Sequence, residues 1–190
     1  MKLEIIITGF GGQGVLSAGI LIAQAAMEQN LHTTWFPSYG AEMRGGLSNS
    51  TVVVSSDEIG SPFVFNPDVL IVLNELSLNK FKKNRITDKT IIIVNSHMIS
   101  TKYEQQKKTN HFFVPATNIA NSKIKNFKTT NTVIIGAFIK VLEFKKKNDT
   151  LFIKNVLSAC ETLFAKNRHL TYINKKAIIA GYNFIKEFCI

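Results

Sequence analysis

The chain has 190 residues, 45% of them hydrophobic and 19% charged, which excludes a mainly disordered protein and, at about 150 residues per domain, predicts one domain spanning 1–190 with a sizeable core. The longest uninterrupted apolar run, Val133 to Ile139, falls far short of the ~20 residues of a membrane span. Glu4 follows Lys2, and Gly9 arrives before any apolar run reaches signal-peptide length, so the expected location is cytoplasmic with no membrane partner.

The net charge of +10 is unevenly spread: residues 1–75 hold two basic side chains, Lys2 and Arg44, against seven acidic ones, so the whole excess lies in the second part. Only Arg44, Arg85 and Arg168 are arginine, and the many lysines accompany asparagine and isoleucine, a compositional bias carried on solvated faces. Arginine forks, the preferred readers of phosphates and base edges, are nearly absent, so nucleic acid is not the expected partner. Cys160 and Cys189 form no C-x-x-C pair, and His32, His97, His111 and His169 are not paired at helical spacing. The chain by itself therefore offers no iron–sulfur, zinc or helical metal site.

In chain order, Leu3 to Thr8 reads as a short buried strand running into the glycine-rich turn Gly9-Phe10-Gly11-Gly12-Gln13-Gly14. Ala18, Leu21, Ile22 and Ala25 then recur at helical spacing, predicting a helix over Val15 to Met27. A second strand is expected at Thr33 to Phe36, followed by a polar loop from Ser38 to Ser50, with further strands at Thr51 to Val54, Val69 to Leu73, Ile91 to Val94 and His111 to Val114. Val69 to Leu73 and Ile91 to Val94 do not alternate apolar with polar and fit interior parallel strands, with a short helix, Leu76 to Asn84, between them. Val133 to Leu142 predicts a helix buried on most faces. Asp149 is a candidate cap for a helix carrying Phe152, Val156, Ala159 and Leu163, and Asn174 a candidate opening for one carrying Ala177, Ala180 and Phe184. The fold class expected is α/β, Rossmann-like, a mostly parallel sheet flanked by helices with a helical C-terminal part.

Gly9, Gly11 and Gly14 satisfy G-x-G-x-x-G between strand and helix, where glycine permits a tight turn and lets a phosphate or another chain approach closely. A dinucleotide site also needs an acidic residue about 20 positions on, at the end of the second strand. Thr34-Trp35-Phe36-Pro37 has none, Glu28 lies inside the helix and Glu42 in the next loop, so nicotinamide or flavin binding is not expected. In the loop Ser38 to Gly46, two glycines follow Arg44, whose guanidinium either clamps an anion bidentately or pairs structurally with Glu42 or another carboxylate. Tyr39 is either a packing aromatic or part of the same site. With no G-x-S-x-G elbow, no cysteine–histidine pair and no clustered carboxylates, independent catalysis is not expected. A self-sufficient nucleotide-binding oxidoreductase and a basic nucleic-acid-binding module remain as alternatives.

At these two segments the chain resembles the gamma subunit, or gamma domain, of the 2-oxoacid:ferredoxin oxidoreductases, which include the pyruvate, 2-oxoglutarate and 2-ketoisovalerate enzymes. The family pattern G-x-G-G-Q-G-V corresponds to Gly9 through Val15, and Y-G-P-E-x-R-G-G to Tyr39 through Gly46, with Ala41 where proline is usual. Weaker echoes are Ile59-Gly60-Ser61-Pro62, Asp68 to Asn74, Asn131 with Gly136, Asn174 to Ala177, and Gly181-Tyr182. The resemblance implies coenzyme A-dependent oxidative decarboxylation of a 2-oxoacid, with Glu42-Met43-Arg44-Gly45-Gly46 closer to the 2-oxoglutarate or branched-chain type than to the pyruvate type. It implies a non-catalytic gamma chain beside alpha and beta subunits that hold thiamine diphosphate between them, with iron–sulfur clusters on beta or on a small ferredoxin-like subunit and ferredoxin as acceptor. No tightly bound cofactor is expected on this chain, and coenzyme A is expected at its interface. The binding positions so marked are Gly9, Gly11, Gly12, Gln13, Gly14, Ser38, Tyr39, Gly40, Glu42, Arg44, Gly45, Gly46 and Asn131.

Overall fold

The structure, a computed structural model, describes residues 1–39, 46–81, 86–100, 110–146 and 150–188. Strand β1 (Lys2–Phe10) ends in the glycine turn, from which α1 (Val15–Met27) returns along the sheet. Strands β2 (His32–Tyr39) and β3 (Leu47–Ser55) pair antiparallel in the register Trp35 to Val52 and Tyr39 to Ser48. Strand β4 (Val69–Val72) leads to α2 (Glu75–Phe81), β5 (Ile91–Asn95) and β6 (His111–Val114). A short helix α3 (Ala116–Ile119) widens into a π-type turn over Ala120–Ile124. Helices α4 (Thr130–Lys146), α5 (Ile153–Leu163) and α6 (Arg168–Phe188) complete the chain.

The six strands lie in the order β2-β3-β1-β4-β5-β6. Strands β1, β4, β5 and β6 pair parallel, whereas β3 runs antiparallel to both β1 and β2. Five strands thus point one way and β3 alone points back. The tip of the β2–β3 hairpin therefore lies at the same edge of the sheet as the carboxyl ends of the parallel strands, beside the glycine turn.

Within the expected loop from Ser38 to Ser50, Ser38 and Tyr39 end β2 and Leu47 to Ser50 begin β3. Ser48 and Ser50 are buried although polar, and Ser50 Oγ accepts the Trp35 indole N–H at 2.8 Å, while Asn49 Oδ1 accepts from Thr8 Oγ1 at 2.7 Å. These cross-strand bonds let a polar sequence form a ladder, because they give Ser50 and Asn49 partners within the sheet. Asp149 lies outside the described residues; α5 instead starts after Phe152, whose side chain makes no cap, and buries Val156, Ala159 and Cys160, leaving Phe152 and Leu163 exposed. Asn174 does not open a helix. It sits inside α6, donates to the Leu170 carbonyl at 2.9 Å and accepts from the Thr132 hydroxyl of α4 at 3.1 Å.

The two faces of the sheet are covered unequally. Leu3, Ile5, Ile7, Val52, Ile71 and Ile93 face a large core closed by α1, α4, α5 and α6. On the opposite face Ile6, Val53, Leu70, Val72, Ile92 and Val94 pack against α2, through Leu78 and Phe81, and against Val64 of the β3–β4 connection, with Ile59, Ile86, Ile99 and Phe113 partly buried at the margin. Helices α4 and α6 make the most extensive helix contact. No described helix is long and apolar enough to cross a membrane.

Candidate functional site

The chain leaves β1 for α1 on one face and β4 for α2 on the other, which makes the carboxyl ends of β1 and β4 the switch point where ligands of open α/β sheets collect. Here that crevice is filled from within. The Gln13 side chain folds back so that its Oε1 accepts both the Phe10 backbone N–H and the Asn74 amide, each at 2.8 Å. Asn74, buried at the end of β4, uses its own Oδ1 to cap α2 through the Ser77 N–H at 2.9 Å. A dinucleotide pyrophosphate would have to displace this clasp, which gives a geometric reason, beside the lack of any carboxylate within β2, against nicotinamide binding at the turn.

The glycines of the turn have separate duties. Gly12 and Gly14 hold φ of +97° and +76°, a region that L side chains rarely adopt. Gly14 is the first residue of the α1 cap and has no side chain to satisfy the free N–H groups of the first turn. A Cβ there would lie 2.4 Å from Asn131 Nδ2, the atom that donates to the Gly14 carbonyl at 3.2 Å. Asn131 is thus brought to the turn from the start of α4. Its Oδ1 is buried with no hydrogen-bond partner among the described residues.

On the hairpin side the turn is open. The Gly11 N–H donates to the Gly46 carbonyl at 2.9 Å, tying the two motif segments together. Between them lies a cleft of about 660 Å³, walled by Gly11, Gly12, Gly14 and the first turn of α1 through Ser17 and closed across by Tyr39 and Ser48. Tyr39 is 66% exposed, on the last residue of β2, and Ser38 precedes it on the opposite face of the strand. None of the described residues lining the cleft is charged; Ser17, Tyr39 and Ser48 bring hydroxyls to it, and the N-terminus of α1, without a side-chain cap, adds a partial positive pole. Gly40, Glu42, Arg44 and Gly45 lie outside the described residues.

A smaller recess of about 220 Å³ opens on the other side of Gly12 and Gln13, against Leu73, Met98, Thr117 and Lys128. Its floor is braced by Asn95, fully buried at the end of β5, which donates to Thr117 Oγ1 at 2.9 Å and accepts from the Thr117 N–H. Asn74 and Asn95 were not singled out from the sequence. The available signal was an asparagine directly after each apolar strand, at the carboxyl edge. Burial pushes the Cys160 thiol up to about 11, so this cysteine is not a thiolate nucleophile at neutral pH. Among the described residues no three His, Cys, Asp or Glu side chains are grouped to hold a metal ion.

Residues 4–184 match the family model of pyruvate ferredoxin/flavodoxin oxidoreductase. The ketoisovalerate oxidoreductase subunit VorA of Methanothermobacter thermautotrophicus is 41% identical over 186 residues, which cover 98% of this chain but 37% of VorA. The chain thus spans little more than a third of that relative's length. The crystal structure of the pyruvate oxidoreductase subunit PORC of Thermotoga maritima superimposes with a TM-score of 0.76 at 28% identity, covering 96% of both chains. A 2-oxoglutarate:ferredoxin oxidoreductase of Magnetococcus marinus, solved with 2-oxoglutarate, coenzyme A and succinyl-CoA bound, shares the fold at a TM-score of 0.81 and 22% identity, covering 98% of this chain and 31% of that one. The sheet that carries the glycine turn and the hairpin is accordingly that of a known oxidoreductase subunit, and the protein belongs to the pyruvate ferredoxin/flavodoxin oxidoreductase family.

Proposed function

We propose that this chain is a single-domain gamma subunit of a 2-oxoacid:ferredoxin oxidoreductase, inert alone, which works beside alpha and beta subunits and a small ferredoxin-like subunit. In the assembled enzyme a 2-oxoacid loses carbon dioxide, its acyl group passes to coenzyme A, and the two electrons released go to ferredoxin. Thiamine diphosphate and the iron–sulfur clusters supply that chemistry from the partner subunits. The observation that carries this reading is the family match through residues 4–184. Identity to VorA favours a branched-chain 2-oxoacid, with 2-oxoglutarate as the second choice.

The residues of the open cleft fit a coenzyme A phosphate. Gly12 has nothing within 4 Å of the position its Cβ would take, α1 presents unsatisfied N–H groups, and the volume of about 660 Å³ accommodates part of a large cofactor. In this reading Gly11, Gly12 and Gly14 let the ligand reach the backbone, Tyr39 shields it, and Arg44 clamps an anionic group of the ligand.

The test is reconstitution with partner subunits, following 2-oxoacid- and coenzyme A-dependent reduction of a viologen dye. A planar guanidinium makes two parallel bonds that an ammonium cannot reproduce, so Arg44→Lys should be impaired almost as much as Arg44→Ala. The expected loss is roughly tenfold to a hundredfold, about 1.5–3 kcal/mol, in the coenzyme A Michaelis constant. Wild-type assembly, turnover and coenzyme A dependence in both variants would remove Arg44 from the site.

A further inference from the structure

Gln13 follows β1, Leu73 follows β4, Met98 follows β5 and Thr117 follows β6, so the recess of about 220 Å³ lies across the carboxyl ends of all four parallel strands. Open α/β sheets place their ligands at this edge. The recess opens on the far side of Gly12 from the cleft proposed for coenzyme A. Its polar groups are donors, and the hydrogen bonds behind them fix them so. The Phe10 N–H can only donate, so the amide atom of Gln13 that meets it must be Oε1. Oε1 also takes the Asn74 amide, and Gln13 Nε2 is left without a partner among the described residues. In the same way the Thr117 N–H fixes Asn95 Oδ1, which turns Asn95 Nδ2 to the Thr117 hydroxyl at 2.9 Å. That hydroxyl is thereby an acceptor toward Asn95, and its own proton stays free to donate.

Lys128 adds the one charge of the lining, and no described carboxylate pairs with its ammonium. Thr130 is spent, since its hydroxyl donates to the Phe127 carbonyl at 2.7 Å. No described Asp or Glu lines the recess, and Leu73, Met98 and Phe127 supply an apolar wall. We propose that this recess binds a small organic carboxylate with a short aliphatic body. One cation with two neutral donors, the Gln13 amide and the Thr117 hydroxyl, matches the single charge and two oxygens of a carboxylate. A phosphate dianion would carry a second charge and a fuller water shell against Leu73, Met98 and Phe127, at a desolvation cost that nothing in the lining repays. The volume suits the class, because a cavity of about 150 Å³ already takes a molecule the size of benzene. The inference stands on the lining of the recess alone and is independent of the coenzyme A reading.

The experiment titrates the purified full-length chain with 3-methylbutanoate and follows proton–nitrogen correlation spectra. The expected result is saturable shifts of the Gln13 side-chain amide and the Gly12 backbone amide, with a dissociation constant at or below about 1 mM. Lys128→Gln should weaken binding about tenfold or more, as loss of a charge-assisted bond requires. Lys123→Gln, which removes an exposed charge outside the recess, should leave binding unchanged. Acetate, which lacks the aliphatic body, should bind about tenfold more weakly, and neither 3-methylbutanamide nor inorganic phosphate should saturate the same signals. Unchanged spectra away from the recess in each variant separate lost binding from unfolding. No saturable shift up to about 20 mM, equal affinity in Lys128→Gln, or phosphate or acetate binding as tightly as 3-methylbutanoate would each overturn the proposal. Displacement of 3-methylbutanoate by coenzyme A would overturn it as well, by making the recess part of the cleft's own site.

Discussion

At the turn after β1 glycine serves backbone conformation, with φ of +97° at Gly12 and +76° at Gly14, and leaves an open cleft beside it. In the seam between α4 and α6 it serves approach alone. A Cβ on Gly136 would fall 1.8 Å from the Ile178 carbonyl oxygen, and one on Gly181 would fall 1.8 Å from that of Val133, so two helix backbones touch and nothing remains open. Helix α4 belongs to both regions, since Asn131 reaches the turn and Gly136 meets α6. Of Gly12, Gly14, Gly136 and Gly181, Gly12 alone combines a left-handed backbone with open space where its side chain would lie.

The sharpest break of this contrast is Gly136→Ala. In an unhindered helix interior alanine would gain about 1 kcal/mol over glycine. Here the neighbour is backbone, which cannot swing aside, so overpacking should win by about 3 kcal/mol or more. A lower urea midpoint at unchanged m-value would show it, and a neutral or stabilised variant would refute the seam.

Next come the turn glycines, which should separate by their surroundings. Gly14→Ala meets both a left-handed backbone and the Asn131 amide, and is expected to cost about 2–3 kcal/mol. Gly12→Ala meets only backbone strain, about 1–2 kcal/mol, but its methyl group enters the cleft. Gly12→Ala should therefore fold and still weaken coenzyme A dependence in the assembled enzyme. Equal stability losses in the two variants would erase the distinction.

Gln13→Ala should cost about 1–2 kcal/mol by leaving the Phe10 N–H and the Asn74 amide without their acceptor. It also vacates the switch-point crevice. Calorimetry with NAD should still detect no binding, since β2, His32 to Tyr39, carries no carboxylate to take the ribose hydroxyls. Micromolar binding by the wild-type chain would contradict the account of the clasp.

The smallest effect concerns the far end of the seam, where Tyr182 donates to Glu143 Oε2 at 2.6 Å and Lys140 to the same oxygen at 3.1 Å. The Glu143 hydrogen bond holds the Lys140 ammonium above its usual 10.5, and burial, then Glu143, holds the Tyr182 phenol above its usual 10.0. Both folded values are raised, so the folded state binds these protons more tightly. Their contribution is complete below about pH 10 and fades as pH rises through the folded values. Tyr182→Phe should flatten that alkaline fall in a urea-midpoint series while leaving stability near neutral pH lower by about 1 kcal/mol.

The β1–turn–α1 unit was legible because a β-branched run, a glycine cluster and a 3.6-residue repeat follow one another without overlap. The interior strands β4 and β5 were legible because burial on both faces leaves unbroken Val and Ile runs. The hairpin was harder. Leu47 to Ser50 reads as loop until Ser50 is seen to accept the Trp35 indole N–H and Asn49 the Thr8 hydroxyl, contacts made across distant strands. Asn174 has the chemistry of a cap, but its side chain is spent on α4, and only the packing of the two helices decides between these uses. At the site, the glycines and Gln13 were visible as a motif, whereas Asn74 and Asn95 act through neighbours that only the strand order supplies.

The most direct measurement is complementation. The purified chain should reduce no viologen with any 2-oxoacid and coenzyme A, and adding it to alpha and beta subunits with the iron–sulfur subunit should restore turnover, fastest with a branched-chain 2-oxoacid. Turnover by the chain alone, or full coenzyme A-dependent activity of the partners without it, would contradict the assignment of this protein as the gamma subunit of such an enzyme.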